Sequence, residues 1–448
     1  MLASVAFGQT PPIEIEPAET LEMLGNQSKF SEVVDSLNSR NTPRPSPSDL
    51  PETPPESTEL GSVVVEEASS LSLIEGAANN NQPMISNGQV LQAYSPRQHT
   101  LEIDLLTWWI SDRQQPTLLV GNSAGTPIAS IGNLTDSSSQ ILLGQERFAE
   151  GAAVGLRLRG KHQTPDLIFS RFDWSLFHLF DQRHDSYFTS TDGSPILSRP
   201  FENQLTGSSD AQIISYPGLA DGTLDSDYRQ SLTGGEALAS FCLYGNNCRS
   251  LELVAGYQFF RLRDALYVQE TLATEPSSLL APGTRFEVRD EFEANNDYHL
   301  LPVGLRYTRV SNKWYWNARA LVALGFVNQT SEIYGYTNTY VQDTQTSAAA
   351  GGFLALPPIL GRHSRAQFAW VPQLELQGTR RVSSRLSVTA GYSLLFFNQA
   401  AQVADQIPTS IHPGHLPPVS PTAPTLNFDI DDQPAFVHGM HFGMMLHF

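Results

Sequence analysis

The residues of this chain whose types could do chemistry are few and scattered. His412 and His415 stand in H-P-G-H, a spacing at which two imidazoles can share a metal ion, but Pro413-Gly414 turns the chain between them and no cysteine or third ligand is near. Asp429, Asp431 and Asp432 in D-I-D-D offer the oxygens calcium takes, as does any acidic loop in water. His441 and His447 share one side of the final stretch. A hydrolase needs a nucleophile beside a base with a third group orienting it, and the chain shows no Ser/His pair at diagnostic spacing. The expectation is therefore a non-enzyme with no catalytic residue, no metal and no cofactor.

A second set of polar residues is more orderly, because its members alternate with large apolar ones. Arg157 and Arg159 oppose Val154, Leu156 and Leu158; Arg171 and Asp173 oppose Phe172, Trp174 and Leu176. Asp104 opposes Ile103 and Leu105, Glu252 opposes Leu251 and Leu253, and Arg306 opposes Leu305 and Tyr307. Arg319 sits among Trp316, Ala318 and Ala320, and Glu375 between Leu374 and Leu376. Successive side chains on a strand point to opposite faces, so the elements that position these charges are strands with one greasy face.

Many of the runs reach about ten residues, the length a tilted strand needs to cross the hydrocarbon layer, whereas soluble sandwich strands average about five or six. The closing stretch, F-V-H-G-M-H-F-G-M-M-L-H-F, places Met440, Phe442, Met444, Leu446 and Phe448 on one face, as in the last strand of an outer-membrane barrel. These five residues are the expected assembly signal. The fold expected is all-β: an antiparallel transmembrane β-barrel of about 12 strands, with 10 to 14 allowed. That count includes weaker runs at Ala265–Glu270 and Arg285–Asp290; the polar intervals Thr189–Ser240 and Ala400–Asn427 read as loops. The final strand is expected to pair with the first, near Thr100–Ile110, and so abolish the edges of the sheet.

Composition bounds the rest. The formal net charge of −19 makes nucleic acid an unsuitable partner. A mean hydropathy of −0.23 is compatible with a barrel, whose lipid-facing and inward residues alternate. Residues 1–8, M-L-A-S-V-A-F-G, read as the remnant of a signal peptide. Residues 9–98, rich in Pro, Ser and Glu, read as a disordered periplasmic segment, within which Glu19–Leu37 has the spacing of a short amphipathic helix; 99–448 is the barrel. The two cysteines, Cys242 and Cys248, flank L-Y-G-N-N, a turn that would bring their thiols within bridging distance.

Several segments in order, among them L-L-T-W-W-I, L-V-A-G-Y-Q-F-F-R-L-R-D-A-L, A-L-V-A-L-G-F-V-N-Q-T, G-G-F-L-A-L-P-P-I-L-G-R-H-S-R and H-G-M-H-F-G-M-M-L-H-F, resemble the putative β-barrel porin family of planctomycete-type bacteria. The resemblance spans about Leu101 to Phe448. One loop departs: where the family carries Arg-Pro-Gly-Asp-Gln-Ile-Asp, this chain has V-A-D-Q-I-P (Val403–Pro408), keeping Asp405, Gln406 and Ile407. The resemblance implies an outer-membrane barrel.

Such a barrel would meet outer-membrane lipids and the barrel-assembly machinery. Its lumen would collect Arg157, Arg159, Arg171, Arg306 and Arg319, facing Asp104, Asp173, Glu252 and Glu375. In a porin-like channel these charges would line the path and select small polar solutes or ions. In a plugged barrel of structural or adhesive role they would pair as a buried network. A soluble secreted β-rich binding protein is the remaining alternative.

Overall fold

The computed structural model describes residues 99–163, 169–246, 248–276 and 283–448. The 1–8 remnant, the 9–98 segment and its Glu19–Leu37 repeat lie outside the described residues. In chain order the strands are β1 (His99–Ile110), β2 (Leu119–Asn122), β3 (Ser139–Leu143), β4 (Ala153–Gln163), β5 (Arg171–Ser190), β6 (Ile196–Asn203), β7 (Ser208–Ser215), β8 (Ala220–Gly245), β9 (Arg249–Thr274), β10 (Thr284–Ser311), β11 (Trp314–Val341), β12 (Thr344–Ala350), β13 (Gly361–Arg381), β14 (Leu386–Ala400), β15 (Ser410–Ile411) and β16 (Gln433–His447). One helical turn, α1 (Val403–Gln406), follows β14.

Ten of these strands close into an antiparallel ring in the order β10-β9-β8-β5-β4-β1-β16-β14-β13-β11, and β11 returns to β10. The first and last strands pair as expected, from Thr100 opposite His447 to Ile110 opposite Val437. Ten lies within the expected range. The two runs counted in addition are parts of longer strands: Ala265–Glu270 belongs to β9 and Arg285–Asp290 to β10. The interval Thr189–Ser240, expected as a loop, holds the end of β5, all of β6 and β7, and most of β8. Polar and small residues hid it, yet Leu224, Tyr228 and Leu232 supply the buried alternate positions that fix the face of β8.

Outward positions carry the apolar band. Ile103, Leu105, Leu176, Leu301, Phe368, Met444 and Phe448 all point outward, with Leu301 and Phe448 each 66% exposed. An apolar outer face on a closed ring is what hydrocarbon demands of a β structure, since closure lets the backbone groups of the spanning strands pair with one another. A soluble secreted protein would not present it.

The wall is uneven. β5, β8, β9, β10, β11 and β13 run 20, 26, 26, 28, 28 and 21 residues, whereas β4, β1, β16 and β14 run only 11, 12, 15 and 15. The long strands are contiguous in the ring and rise as a half-cylinder well beyond the roughly ten residues needed to span a membrane. Among the described connections, the short turns β10–β11 and β13–β14 lie at one end and the long connections β1–β4, β5–β8, β11–β13 and β14–β16 at the other.

The long connections fold into a second sheet, β15-β6-β2-β3 with β7 beside β6. Its Leu119, Leu143, Leu197 and Ile411 pack on inward residues of the tall wall, among them Leu224, Tyr228, Leu266, Phe292 and Ile333. The upper half of the barrel therefore has a continuous hydrophobic core. Below it a second apolar layer crosses the interior, where Leu106, Trp108, Phe177, Leu232, Phe260, Leu300, Val371 and Phe397 meet.

Candidate functional site

Beneath that apolar layer, toward the short turns, lies the feature most unusual for a membrane-spanning interior. β1, β4, β5, β8, β9, β10, β11 and β13 each turn charged residues inward, because each alternates them with a lipid-facing apolar residue. Arg157, Arg159, Lys161, Arg171, Arg306 and Arg319 meet Glu102, Asp104, Asp173, Glu236, Glu252 and Glu375, six cations with six carboxylates.

The pairing is close. Arg157 Nε donates to Asp104 Oδ2 at 2.9 Å; Arg159 reaches Glu102 at 2.7 Å and Glu375 at 2.6 Å. Arg319 spans Glu236 and Glu375, each at 2.8 Å. A second knot joins Arg171 to Glu252 at 2.6 Å and Arg306 to Asp173 at 2.6 Å. His441 of β16 is fully buried beside this network, 3.9 Å from Glu375. Two of the spaces among these side chains are cavities of about 40 and 30 Å³, room for isolated waters.

All nine residues expected to line a lumen are thus brought together, and they pair with one another across the interior. Glu102, Lys161 and Glu236 are the members that sequence reasoning did not place there. Glu102 and Lys161 follow the same alternation as their neighbours, while Glu236 lay in the interval read as a loop.

The upper sheet is fastened to the wall by polar groups of its own. Arg199 of β6 donates to Asp290 of β10 at 2.7 Å and lies 3.4 Å from Glu270 of β9, with all three side chains at most 1% exposed. Asp290 Oδ1 also accepts the Leu354 and Ala355 N–H groups, an approach open because Gly352, where any Cβ would strike that carboxylate, lies against it. Asn296 of β10 holds Ala401 by both backbone groups, donating to its carbonyl and accepting its N–H at 2.8 Å each.

Along the low rim, α1 is held by Arg113, whose Nε is 3.5 Å from Asp405, and by Gln406, which donates to the Asp431 carbonyl at 2.7 Å. The three residues kept in the divergent loop therefore all serve its seating: Asp405 and Gln406 in these contacts, Ile407 in the upper core. Burial pushes the Asp405 carboxyl up to about 6, the Arg113 guanidinium only partly opposing it. Burial likewise raises Asp112, despite N–H donation from Ala149 and Arg113.

The remaining expectations resolve simply. His412 accepts the Gly414 N–H and His415 bonds the Pro424 carbonyl, so both imidazoles serve a local turn. Cys242 and Cys248 are both free and exposed, a correction to the expected bridge. The turn between them forms, with Asn246 Oδ1 accepting the Cys248 and Arg249 N–H groups. A register shift falls between Cys242 and Tyr244, however, and the Cys248 carbonyl is tied to Val310 of β10. Asp192, Asp221 and Glu275 bring three carboxylates within 4.8 Å of one another at the long-loop rim, a grouping not visible in sequence because Asp192 follows β5, Asp221 opens β8 and Glu275 follows β9. Gly193 N–H already engages Asp221 there.

A family model described as putative beta barrel porin-7 matches residues 101–448. The chain belongs to that porin family. Its fold and family make it an outer-membrane β-barrel. No curated protein matches it. Among solved structures this porin-family barrel is similar to the outer membrane protease OmpT from Escherichia coli (TM-score 0.38, 8% identity, covering 79% of this chain and 98% of that one). It is also similar to a FadL homologue of Pseudomonas aeruginosa (TM-score 0.22, 10% identity, 79% and 90% covered) and to the toluene transporter TodX of Pseudomonas putida (TM-score 0.18, 8% identity, 82% and 93% covered).

Proposed function

We propose that this barrel is closed along its axis and works as an anchored platform at the cell surface, rather than as an open channel for small polar solutes or ions. The observation that carries the reading is the balanced, largely buried charge network with an apolar layer above it. An ion entering from the short-turn end meets charges already paired with one another and then an apolar layer that cannot replace its water, and one entering from the long-connection end meets the apolar cores first. Short turns of such barrels face the periplasm and long connections the exterior, so the tall half-cylinder and its inner sheet stand outside the cell, and the 9–98 segment enters from the periplasm. The partners are outer-membrane lipids along the apolar band and the assembly machinery that reads Met440, Phe442, Met444, Leu446 and Phe448.

The platform is non-enzymatic. Ser387 Oγ and His447 Nε2 stand 2.8 Å apart, but Ser387 is buried in the wall. His184 offers the same Nε2 to Ser186 and toward Glu146, so no relay forms through its ring.

Reconstitution of the full chain into planar bilayers tests the proposal. The expected record is flat at all voltages. Reproducible conductance steps from the unmodified protein would restore the porin-like channel, the reading the family name favours.

A further inference from the structure

A cleft of about 530 Å³ opens at the long-loop end, between the segment after β1, the β6-β7 hairpin and the residues after α1. Its size falls within the range of small-molecule sites. Apolar surface comes from Leu134, Phe201 and Ile407, and three prolines, Pro116, Pro200 and Pro408, stiffen its walls. Gln115 forms part of the wall and is 1% exposed, yet neither Oε1 nor Nε2 of its carboxamide has a hydrogen-bond partner. Its backbone is fixed on both sides: its N–H donates to the Glu146 carbonyl at 3.0 Å and its own carbonyl accepts the Gln145 N–H at 2.9 Å. A buried amide held in place with both functions idle is costly unless something else satisfies it.

The wall chemistry narrows what that something is. Among the described residues no Lys, Arg or His lines the cleft, which disfavours an anion, and Glu202 is the one carboxylate, exposed at the mouth. A hydrocarbon would leave the Gln115 amide idle. A carboxamide presents an acceptor and a donor side by side, the spacing of two adjacent hydroxyls on a saturated ring. Phe201 offers an apolar face to the C–H side of such a ring, and Thr117, Ser209 and Thr409 supply hydroxyls around it.

We propose that the cleft is a binding site for a neutral saccharide of one or two rings, with Gln115 pairing two neighbouring hydroxyls. The site rests on the surface-platform reading, which gives it a cell-exterior opening.

The test is calorimetric titration of the full chain, held in a detergent without a sugar head group, with glucose, maltose, cellobiose and N,N′-diacetylchitobiose. At least one should bind, and Gln115→Leu should weaken that sugar about tenfold to a hundredfold, the effect of two lost hydrogen bonds. Because Gln115→Leu removes idle polar atoms, its sugar-free melting temperature should equal or exceed the parent's, which a purely structural glutamine would not allow. Glu150→Gln, exposed and outside the cleft, should fold normally and bind within a few fold of the parent. No binding by any of the four sugars at tens of millimolar, undiminished binding by Gln115→Leu, or a lowered melting temperature would overturn the proposal. Conductance is read separately: a silent barrel that ignores all four sugars removes only the cleft, whereas a conducting barrel that binds one removes only the platform.

Discussion

Glu375→Gln probes whether the charge network is dry. Glu375 is the hub, with Arg159 at 2.6 Å, Arg319 at 2.8 Å and Arg157 at 3.5 Å. At an effective dielectric of 20 each close pair is worth about 6 kcal/mol of Coulomb attraction, most of it offset by desolvation. Removing one member of a buried pair costs about 3 to 5 kcal/mol, because the partner stays behind uncompensated. The lower end applies here. Arg159 keeps Glu102 and Asp104, Arg157 keeps Asp104, and Arg319 keeps Glu236, while glutamine preserves the shape. We expect a loss of about 3 kcal/mol, read by urea unfolding in detergent micelles through the heat-modifiable mobility of the barrel. Replacing the pair together, Arg319→Met with Glu375→Leu, should recover part of that loss. If Glu375→Gln stays within about 0.5 kcal/mol of the parent, the pairs behave as exposed ones do, the interior is wet, and the closed-barrel argument fails.

Three further perturbations test other parts of the structure. A carboxyl whose folded pKa is raised favours the fold most below its unfolded value near 3.8, and that stability is lost as pH climbs through about 6. Asp405→Asn should therefore melt higher than the parent at pH 7.5 and no higher at pH 4; a lower melt at pH 7.5 would mean that the Arg113 pair outweighs burial. Asn296→Ala removes both bonds to Ala401 and should cost about 1 to 3 kcal/mol, with faster hydrogen exchange at the Ala401 amide; unchanged exchange would show that the loop is held elsewhere. Deleting Phe448 removes a lipid-facing ring and one backbone bond to His99, and should lower outer-membrane levels more than it lowers the stability of refolded barrel. Normal levels of the deletion variant would remove Phe448 from the assembly signal.

How much of this was legible follows from what imposes each feature. Lipid imposes the outer face of every strand, so the alternation of Leu301, Val303, Leu305 and Tyr307 with Gly304 and Arg306 identified β10 from sequence alone. Nothing external imposes the interior, and the same alternation that turns Arg159 inward is silent on what it meets. Glu375 is 216 residues away, and Glu102 is bonded by Gln377 from 275 residues away. These encounters depend on ring size and stagger, which set which inward residues share a level. The same reason explains the reading of Thr189–Ser240. Above the membrane the outer face of β8 needs no apolar side chains, so Asp225, Asp227 and Arg229 stand there, and lower down that face carries only the small residues Gly235, Ala237 and Ala239 before Phe241, so the lipid signal is faint although the strand continues. Whether the barrel conducts is decided in the two regions where that signal is absent, the inward face and the long connections. The charges readable in sequence are equally consistent with a lined pore and a filled one, and only their mutual distances of 2.6 to 2.9 Å favour the filled barrel.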